Sequence, residues 1–192
     1  MGNPYKRVRH YHEPGDCHEL TFSCYRSMPL LTNDIWRGML SQSIDRAMED
    51  YEFRLVAFVI MPEHVHLLAY PVGADVRVDL LLKAIKRPFA IRVKDQLVEA
   101  RSDLLSKLTV HDRPGQRRFR FWQEGGGYDR NLHSEAAVRG SINYIHMNPV
   151  RRELCEQPIL WKWSSARFHL MPGNSKDADL PTLHRLTPEF FT

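Results

Sequence analysis

Hydrophobic and polar positions along the chain follow two different periods. Apolar runs rich in β-branched and aromatic residues predict strands, and apolar residues at a spacing of three or four predict helices. In chain order, the pattern predicts a strand at 17–26, a helix from about 33 to 50 capped by Thr32 or Asn33, strands at 51–62 and 63–71, a helix from Asp75, a strand at 117–123, and a helix that begins after Ser134 and meets Pro149. The residues after this last helix carry no clear pattern.

This order of elements, βαββαβα, predicts an α+β domain of the ferredoxin-like (RRM-like) class. In such a domain the helices pack on one face of an antiparallel sheet, which leaves the other face free for a site. The polar and basic residues 1–16 predict an N-terminal arm, residues 17–155 the domain itself, and residues 156–192 a C-terminal tail. Pro88 predicts a kink or a break in the second helix.

Composition limits the class of protein. Of the 192 residues, 43% are hydrophobic, which is enough for the core of one domain. The longest apolar run is too short to span a bilayer and the first residues do not resemble a signal peptide, so we expect a soluble cytoplasmic protein that contacts no membrane. The net charge of +4 favours a polyanionic partner weakly. The three cysteines lack CxxC spacing and predict neither a disulfide framework nor a cysteine zinc site.

Two histidines, His64 and His66, stand in the middle of the third predicted strand. Side chains two positions apart on a strand point to the same face, so the two imidazoles would lie side by side, where one divalent ion could contact both. The alternative is a structural histidine pair. A second pair at the same spacing, His10 and His12, lies in the polar arm and provides an internal comparison, because there the strand context is missing.

Tyr144 is a poor core residue on the last predicted helix. Val138, Ile142 and Ile145 form an apolar stripe, and Tyr144 lies about 100° or more around the helix from each of them. Asn148 follows one turn later on nearly the same side as the tyrosine. One helix face therefore presents a phenol hydroxyl and an amide oxygen. The alternative is a surface tyrosine and an asparagine that merely ends the helix.

These segments resemble a known family. The stretch VIMPEHVHLLAYP at 59–71 and the stretch YIHMNPVRREL at 144–154, with FWQ before the second stretch and WKWSS after it, are similar to the REP-associated tyrosine transposases, which are single-tyrosine HUH transposases of the IS200-like superfamily. The resemblance covers roughly residues 17 to 168. It implies a ferredoxin-like fold in which a helix brings the nucleophilic tyrosine to the HUH pair.

Carried over residue by residue, the resemblance implies that His64, His66 and Asn148 bind Mg²⁺ or Mn²⁺ and that Tyr144 is the nucleophile. The implied activity is that of a metal-dependent single-stranded DNA nuclease and strand transferase. It acts at hairpin-bearing repetitive palindromic sequences through a 5′-phosphotyrosine intermediate, which conserves the energy of the broken bond for rejoining. The implied partner is a single-stranded DNA hairpin, and a homodimer is possible.

Basic and aromatic side chains near the predicted site would hold the DNA, because cations contact phosphates and aromatic rings stack on bases. The basic candidates are Lys83, Lys86, Arg87, Arg113, Arg117, Arg118, Arg120, Arg151 and Arg152. The aromatic candidates are Phe119, Phe121 and Trp122, although packing in the core is favoured for Trp122, Trp161 and Trp163.

Several alternatives stay open. The main rival function is a domesticated hairpin DNA-binding protein without cleavage activity, and an RNA-binding ferredoxin-like domain is a third reading. Tyr128 is a competing nucleophile, but it follows the run Gly125-Gly126-Gly127, whose backbone we expect to be unusual. No general base stands out, and His146 is a candidate only because it is close in sequence to Tyr144.

Overall fold

The computed structural model describes residues 16–73, 75–113, 115–125, 127–171, 173, 177–186 and 190. The predicted arm, apart from Asp16, lies outside the described residues, and so do His10 and His12. The strands are β1 (Cys17–Ser23), β2 (Phe53–Ile60), β3 (His64–Pro71), β4 (Thr109–Arg113), β5 (Gln116–Phe119) and β6 (Tyr128–Leu132). The helices are α1 (Asp34–Asp50), α2 (Val78–Glu99), α3 (Leu104–Lys107), α4 (Glu135–Arg151) and α5 (Ala166–Leu170). No helix in the described ranges combines the length and the apolar character that a membrane span requires.

Four strands form one antiparallel sheet in the order β2-β3-β1-β6. Helix α1 connects β1 to β2, and α2 leads from β3 towards β6, so the predicted α+β class with an antiparallel sheet is confirmed. Strands β4 and β5 form a separate two-stranded hairpin between α2 and β6.

At the central strand β3, different helices cover the two faces of the sheet. Val65 and Leu67 are fully buried in the core that includes residues of α1 and α2. His64 and His66 point to the opposite face, because side chains alternate along a strand. Helix α4 packs on that second face in a smaller apolar cluster. The face that was predicted to be free for a site is therefore partly covered by the helix that carries Tyr144.

Side chains satisfy free backbone N–H groups at the start of two helices. The Asn33 side-chain oxygen accepts from the backbone N–H groups of Ile35 and Trp36, and the Ser134 hydroxyl oxygen accepts from the N–H of Ala137. Both helices therefore begin close to the predicted caps.

Two prolines lie inside helices that continue past them. Helix α2 continues through Pro88, so of the predicted kink or break the break is wrong. Helix α4 extends two residues beyond Pro149, so the predicted helix end there is wrong. A proline removes one backbone hydrogen bond and strains the preceding turn. Ile85 and Phe89, fully buried on either side of Pro88, pack α2 against the core and offset that cost.

The fourth strand of the main sheet is not the predicted one. Residues 116–119 form β5 in the separate hairpin, whereas β6, at 128–132, pairs with β1. The sequence YDRNL of β6 has little apolar character, because β6 is an edge strand with one partly exposed face. Phe121 and Trp122, which made 117–123 resemble a strand, instead enter the core after the hairpin.

C-terminal residues cover the outer edge of β2. The Ser165 backbone N–H donates to the Phe58 carbonyl oxygen at 3.0 Å, and the His184 N–H donates to the Leu55 carbonyl oxygen at 2.8 Å. Trp163 is buried between α1 and the sheet. Pairing of this kind satisfies backbone groups that would otherwise be exposed at a sheet edge. The segment without a clear sequence pattern thus packs on the domain.

Candidate active site

His64 and His66 lie side by side on β3, as their spacing predicts. Their ring centroids are 4.8 Å apart and their planes are nearly perpendicular, at 88°. The His66 residue is 6% exposed, and His64 is half-buried. The two histidines therefore lie on the second face of the sheet, with the edge of one ring towards the other ring.

Each imidazole has a hydrogen-bond partner at Nδ1. The His66 Nδ1 lies 2.8 Å from the Thr21 hydroxyl oxygen, and the His64 Nδ1 lies 3.2 Å from a carboxylate oxygen of Glu63. With a proton on each Nδ1, both rings donate to these oxygens and keep a lone pair on Nε2. Such partners fix the tautomer and the orientation of histidines that bind metals.

Burial keeps both histidines neutral at neutral pH. It lowers the pKa of His66 from its ordinary value of 6.5 to about 4, and the neighbouring His64 adds to the effect. Burial also lowers the pKa of His64, although Glu63 opposes that shift. A neutral imidazole is the form that binds a metal ion.

Tyr144 faces this pair from α4. Its ring centroid lies 5.5 Å from that of His66, with the planes at 89°. The residue is 41% exposed, so solvent and substrate can reach the phenol. The Arg151 guanidinium lies over the same ring at 5.1 Å, which places a positive charge beside the phenol.

Asn148 lies between two contacts that join α4 to β3. Residues 144, 148 and 152 share one helix face because they are four positions apart. Tyr144 contacts His66 at one end, and at the other end the Arg152 guanidinium lies 2.9 Å from a Glu63 carboxylate oxygen. Asn148 is buried on this helix face, and its amide nitrogen donates a long hydrogen bond, at 3.4 Å, to the Tyr144 carbonyl oxygen.

The donor set fits a divalent ion only if an amide takes part. Within the described ranges, no three His, Cys, Asp or Glu side chains form a group that could hold a metal ion. Two free imidazole Nε2 atoms and the Asn148 amide oxygen offer three uncharged donors on facing elements. Imidazole and amide oxygen are both ligands for divalent ions such as Mn²⁺.

Sequence reasoning missed two residues of this site and one contact of a third. Thr21 orients His66, and finding it requires the register between β1 and β3, in which Thr21 stands opposite His66. Glu63 contacts His64 and Arg152, and the only sequence signal is an acidic residue directly before the histidine pair. Arg151 was predicted to contact DNA, but its contact with the Tyr144 ring was not predicted.

His146 is not a suitable general base for Tyr144. It is buried, and its Nε2 lies 2.8 Å from the Ser165 hydroxyl oxygen, on the far side of α4 from the tyrosine. The Ser165 hydroxyl donates to the Phe58 carbonyl oxygen, and the His146 ring packs 5.2 Å from that of His169. His146 therefore anchors α4 to β2 and to the C-terminal segment.

Acid should destabilise the metal-free protein through these buried histidines. Burial lowers the pKa of His146 from 6.5 to about 4, so between these values the unfolded chain binds a proton that the folded chain does not. Stability is then lost as the pH falls from 6.5 towards 4. At pH 5, His146 should account for roughly 2 kcal/mol of the loss, a value that urea unfolding can measure.

The matched variant for this test is His146→Gln, which keeps a donor for Ser165 but does not titrate. Its unfolding free energy should fall less between pH 7 and pH 5 than that of the wild type. An identical fall in both proteins would show that His146 does not bind its proton on unfolding.

The predicted DNA-contacting cations lie in two separate places. One group lines a groove of about 430 Å³ between α2 and residues 118–125, on the side of the sheet away from the histidines; it comprises Lys83, Lys86, Arg87, Arg118 and Arg120. Arg151 and Arg152 lie instead beside Tyr144 and Glu63. Arg117 is exposed on β5 outside the groove lining, and the Arg113 side chain lies outside the described set.

Two of the three aromatic candidates for base stacking are buried. Phe121 and Trp122 pack against Phe89, with ring centroids 4.9 and 5.4 Å away, and the Trp122 indole N–H donates to the Lys86 carbonyl oxygen. They are therefore core residues, which agrees with the core packing predicted for Trp122. Phe119 is partly buried.

The fold and this site together define a candidate DNA-processing enzyme of the α+β class. The family model described as "Transposase IS200 like" matches residues 16–112, which is half of the chain, and the chain belongs to this family. The matched segment contains His64 and His66 and ends before Tyr144 and Asn148. A search of curated protein sequences gives no match.

Solved structures with similarity to the chain include the following two. The REP-associated tyrosine transposase bound to a REP hairpin has a TM-score of 0.65 and 20% sequence identity, over 95% of this chain and 99% of that chain. A candidate transposase from Deinococcus radiodurans R1 has a TM-score of 0.43 and 20% identity, over 72% of this chain and 93% of that chain. The first likeness shows a shared fold over nearly the full length of both chains, α4 included.

Proposed function

We propose that this transposase cuts and rejoins single-stranded DNA beside a hairpin, with Tyr144 as the nucleophile and a divalent metal as cofactor. The observation that carries the proposal is the 5.5 Å contact between the rings of Tyr144 and His66, on the sheet face that holds both histidines. The membership in the IS200-like family supports DNA transposition as the overall activity.

His64, His66 and Asn148 would hold the metal. A bound Mg²⁺ or Mn²⁺ supplies Lewis-acid polarisation of the scissile phosphate. The Thr21 and Glu63 side chains contact the two imidazoles at Nδ1, which leaves Nε2 for the ion, and the helix face shared by Tyr144 and Asn148 would supply the amide oxygen. All three donors are neutral, so an ion bound by them keeps its full positive charge for the phosphate.

Tyr144 performs the covalent step. A bond forms between the tyrosine hydroxyl oxygen and phosphorus, and the bond from phosphorus to the 3′ oxygen breaks, which leaves a 5′-phosphotyrosine and a free 3′ hydroxyl. The phenol proton passes to solvent from the exposed side of the ring, and the leaving 3′ oxygen takes up a proton from solvent. The Arg151 guanidinium over the ring places a positive charge beside the attacking phenol, where it can also meet the scissile phosphate. Rejoining is the reverse reaction, and it needs no external energy source.

A DNA hairpin is the substrate that the surroundings of the site favour. The structural neighbour with the TM-score of 0.65 is bound to a REP hairpin. In this chain, the groove cations Lys83 and Arg87 offer contacts to the backbone of a stem, whereas Arg120 pairs with the groove residue Glu124 at 2.6 Å. Arg151 and Arg152 offer contacts to the strand at Tyr144. Phosphate contacts of this kind give affinity without sequence information.

Salt dependence should reveal the groove as a phosphate-binding surface. Hairpin-bearing single strands from repeats beside the gene should bind the wild type with an affinity that falls steeply with salt. The variant Lys83→Ala with Arg87→Ala should lower the log–log slope by about two, because each phosphate contact contributes about one. Lys94→Ala, an exposed cation of α2 outside the groove, is the matched control and should leave the slope unchanged.

The same binding assay separates the competing functions. Equally tight binding of a duplex without a hairpin would show that the substrate class is wrong. Hairpin binding with no cleavage in Mg²⁺ or in Mn²⁺ would support the domesticated hairpin-binding protein instead.

A further inference from the structure

The geometry points to a second tyrosine of the site, Tyr128, as a stacking platform for a nucleobase of the cleaved strand. This inference rests on the proposed function and adds to it a residue that binds the substrate beside the scissile phosphate. The ring would position the base, while Tyr144 performs the covalent step.

Tyr128 belongs to the same row of the sheet as the histidine site. It stands opposite Thr21 across β1 and β6, and Thr21 stands opposite His66 across β1 and β3. Residues directly opposite each other in an antiparallel pair point to the same face. Strands lie about 4.8 Å apart, so the backbone of Tyr128 lies about 10 Å from that of His66. The two are close enough to contact neighbouring nucleotides of one strand.

Within the described part of the chain, the Tyr128 ring belongs to neither of the two hydrophobic clusters. The residue is 56% exposed, which is more than Tyr144. Among the described residues, no aromatic ring and no cation packs on it, whereas the Tyr144 ring contacts both His66 and Arg151. An exposed aromatic ring at the beginning of an edge strand offers a flat surface on which a planar ligand, such as a nucleobase, can stack.

The backbone directly before Tyr128 passes close to Thr21, at the histidine site. Gly127 has a φ of +83°, and a Cβ there would lie 2.2 Å from the Thr21 carbonyl oxygen, so only glycine fits. Gly125 also has a positive φ, which agrees with the unusual backbone expected for the glycine run. The close contact between Gly127 and Thr21 fixes the start of β6. It therefore also fixes the Tyr128 ring beside Thr21, the residue that orients His66.

The glycine turn also links the basic groove to the histidine face. Gly125 lines the groove, and its carbonyl oxygen accepts a hydrogen bond from the Lys86 ammonium at 3.0 Å. A strand that leaves a stem held in the groove can pass Gly125 and Gly127 at the edge of β6 and reach Tyr128 before Tyr144. A stacked base at Tyr128 would orient that strand for attack.

Stacking of a base on an aromatic side chain is sequence-tolerant and depends on the ring rather than on the hydroxyl. Tyr128→Phe should therefore bind hairpin-bearing single strands as the wild type does, whereas Tyr128→Ala should bind them about tenfold more weakly. Tyr128 is exposed, so neither change should alter the fold, and thermal unfolding checks this. Val98→Ala, which trims another exposed apolar side chain, is a control for nonspecific loss.

Abasic substitutions locate the stacked base. Oligonucleotides that carry a hairpin and a single abasic position near the mapped cut are bound to each variant. In the wild type, one abasic position should lower the affinity by the same factor as Tyr128→Ala does, and that position should have no further effect in Tyr128→Ala. A 5-iodouracil at that position should crosslink to Tyr128 on irradiation in a Tyr144→Phe background, where no covalent cleavage product forms.

The outcomes distinguish this inference from the proposed function. If the wild type binds and cuts, but Tyr128→Ala does so equally well, the inference alone is overturned. Equal losses in Tyr128→Phe and Tyr128→Ala would assign the contact to the hydroxyl and would also overturn it. A wild type that binds none of these DNAs would overturn the proposed function and the inference together.

Discussion

Replacing His66 with alanine should abolish strand cleavage and lower Mn²⁺ affinity by more than about 100-fold, because a pair of buried imidazoles that loses one ring leaves too few donors for the ion. Calorimetric titration with Mn²⁺ measures the affinity without DNA, and cleavage of a hairpin-bearing single strand measures the activity. His64→Ala should behave in the same way, and EDTA should stop the reaction of the wild type.

Thr21→Val provides a graded version of the same test. The substitution keeps the shape of the side chain but removes the oxygen at 2.8 Å from the His66 Nδ1, so the ring keeps its Nε2 but loses the partner that orients it. Partners of this kind typically change metal affinity or activity by about 10- to 100-fold. The loss in Thr21→Val should therefore lie between those of the wild type and His66→Ala.

The histidine pair His10 and His12 is the matched control, since it has the same spacing in the sequence but lies outside the strand β3. His10→Ala and His12→Ala should leave Mn²⁺ affinity and cleavage largely unchanged. Equal losses from both pairs would contradict the assignment of the metal site to β3, and so would full Mn²⁺ affinity in the double variant His64→Ala with His66→Ala.

The parts of the site that follow from local geometry could be predicted from the sequence. The i, i+2 spacing places His64 and His66 on one face of a strand, and the i, i+4 spacing places Tyr144 and Asn148 on one face of a helix. The approach of that helix to that strand came from the family resemblance. The structure brings the Tyr144 and His66 rings to 5.5 Å.

Long-range pairings could not be predicted from local patterns. The Thr21 contact with His66 depends on the register of two strands that are far apart in sequence, and the Arg152 contact with Glu63 joins the end of α4 to the start of β3. The strand β6 was missed because an exposed edge strand needs few apolar residues, so YDRNL lacks the pattern by which strands are recognised. Tyr128 was consequently described only as a residue that follows a glycine-rich turn.

Tyr144→Phe should abolish the covalent adduct between protein and DNA, while hairpin binding stays close to that of the wild type. The substitution removes only the attacking oxygen and keeps the ring that contacts His66 and Arg151. Attack by the phenol leaves a 5′-phosphotyrosine bond that survives denaturation, whereas attack by water would leave two free ends and no adduct. The change in adduct yield should exceed about 1,000-fold, because no other group replaces the nucleophile.

Denaturing gels with 3′-labelled DNA measure the adduct, because the label stays with the strand whose 5′ phosphate is joined to the protein. Label should migrate with the protein in the wild type and in Tyr128→Phe, but not in Tyr144→Phe. Tyr128→Phe is the matched control, since it removes the only other phenol found on this end of the sheet face within the described residues. An adduct that persists in Tyr144→Phe, or free ends that form with no adduct at any time, would overturn the covalent mechanism and leave the fold and the family untouched.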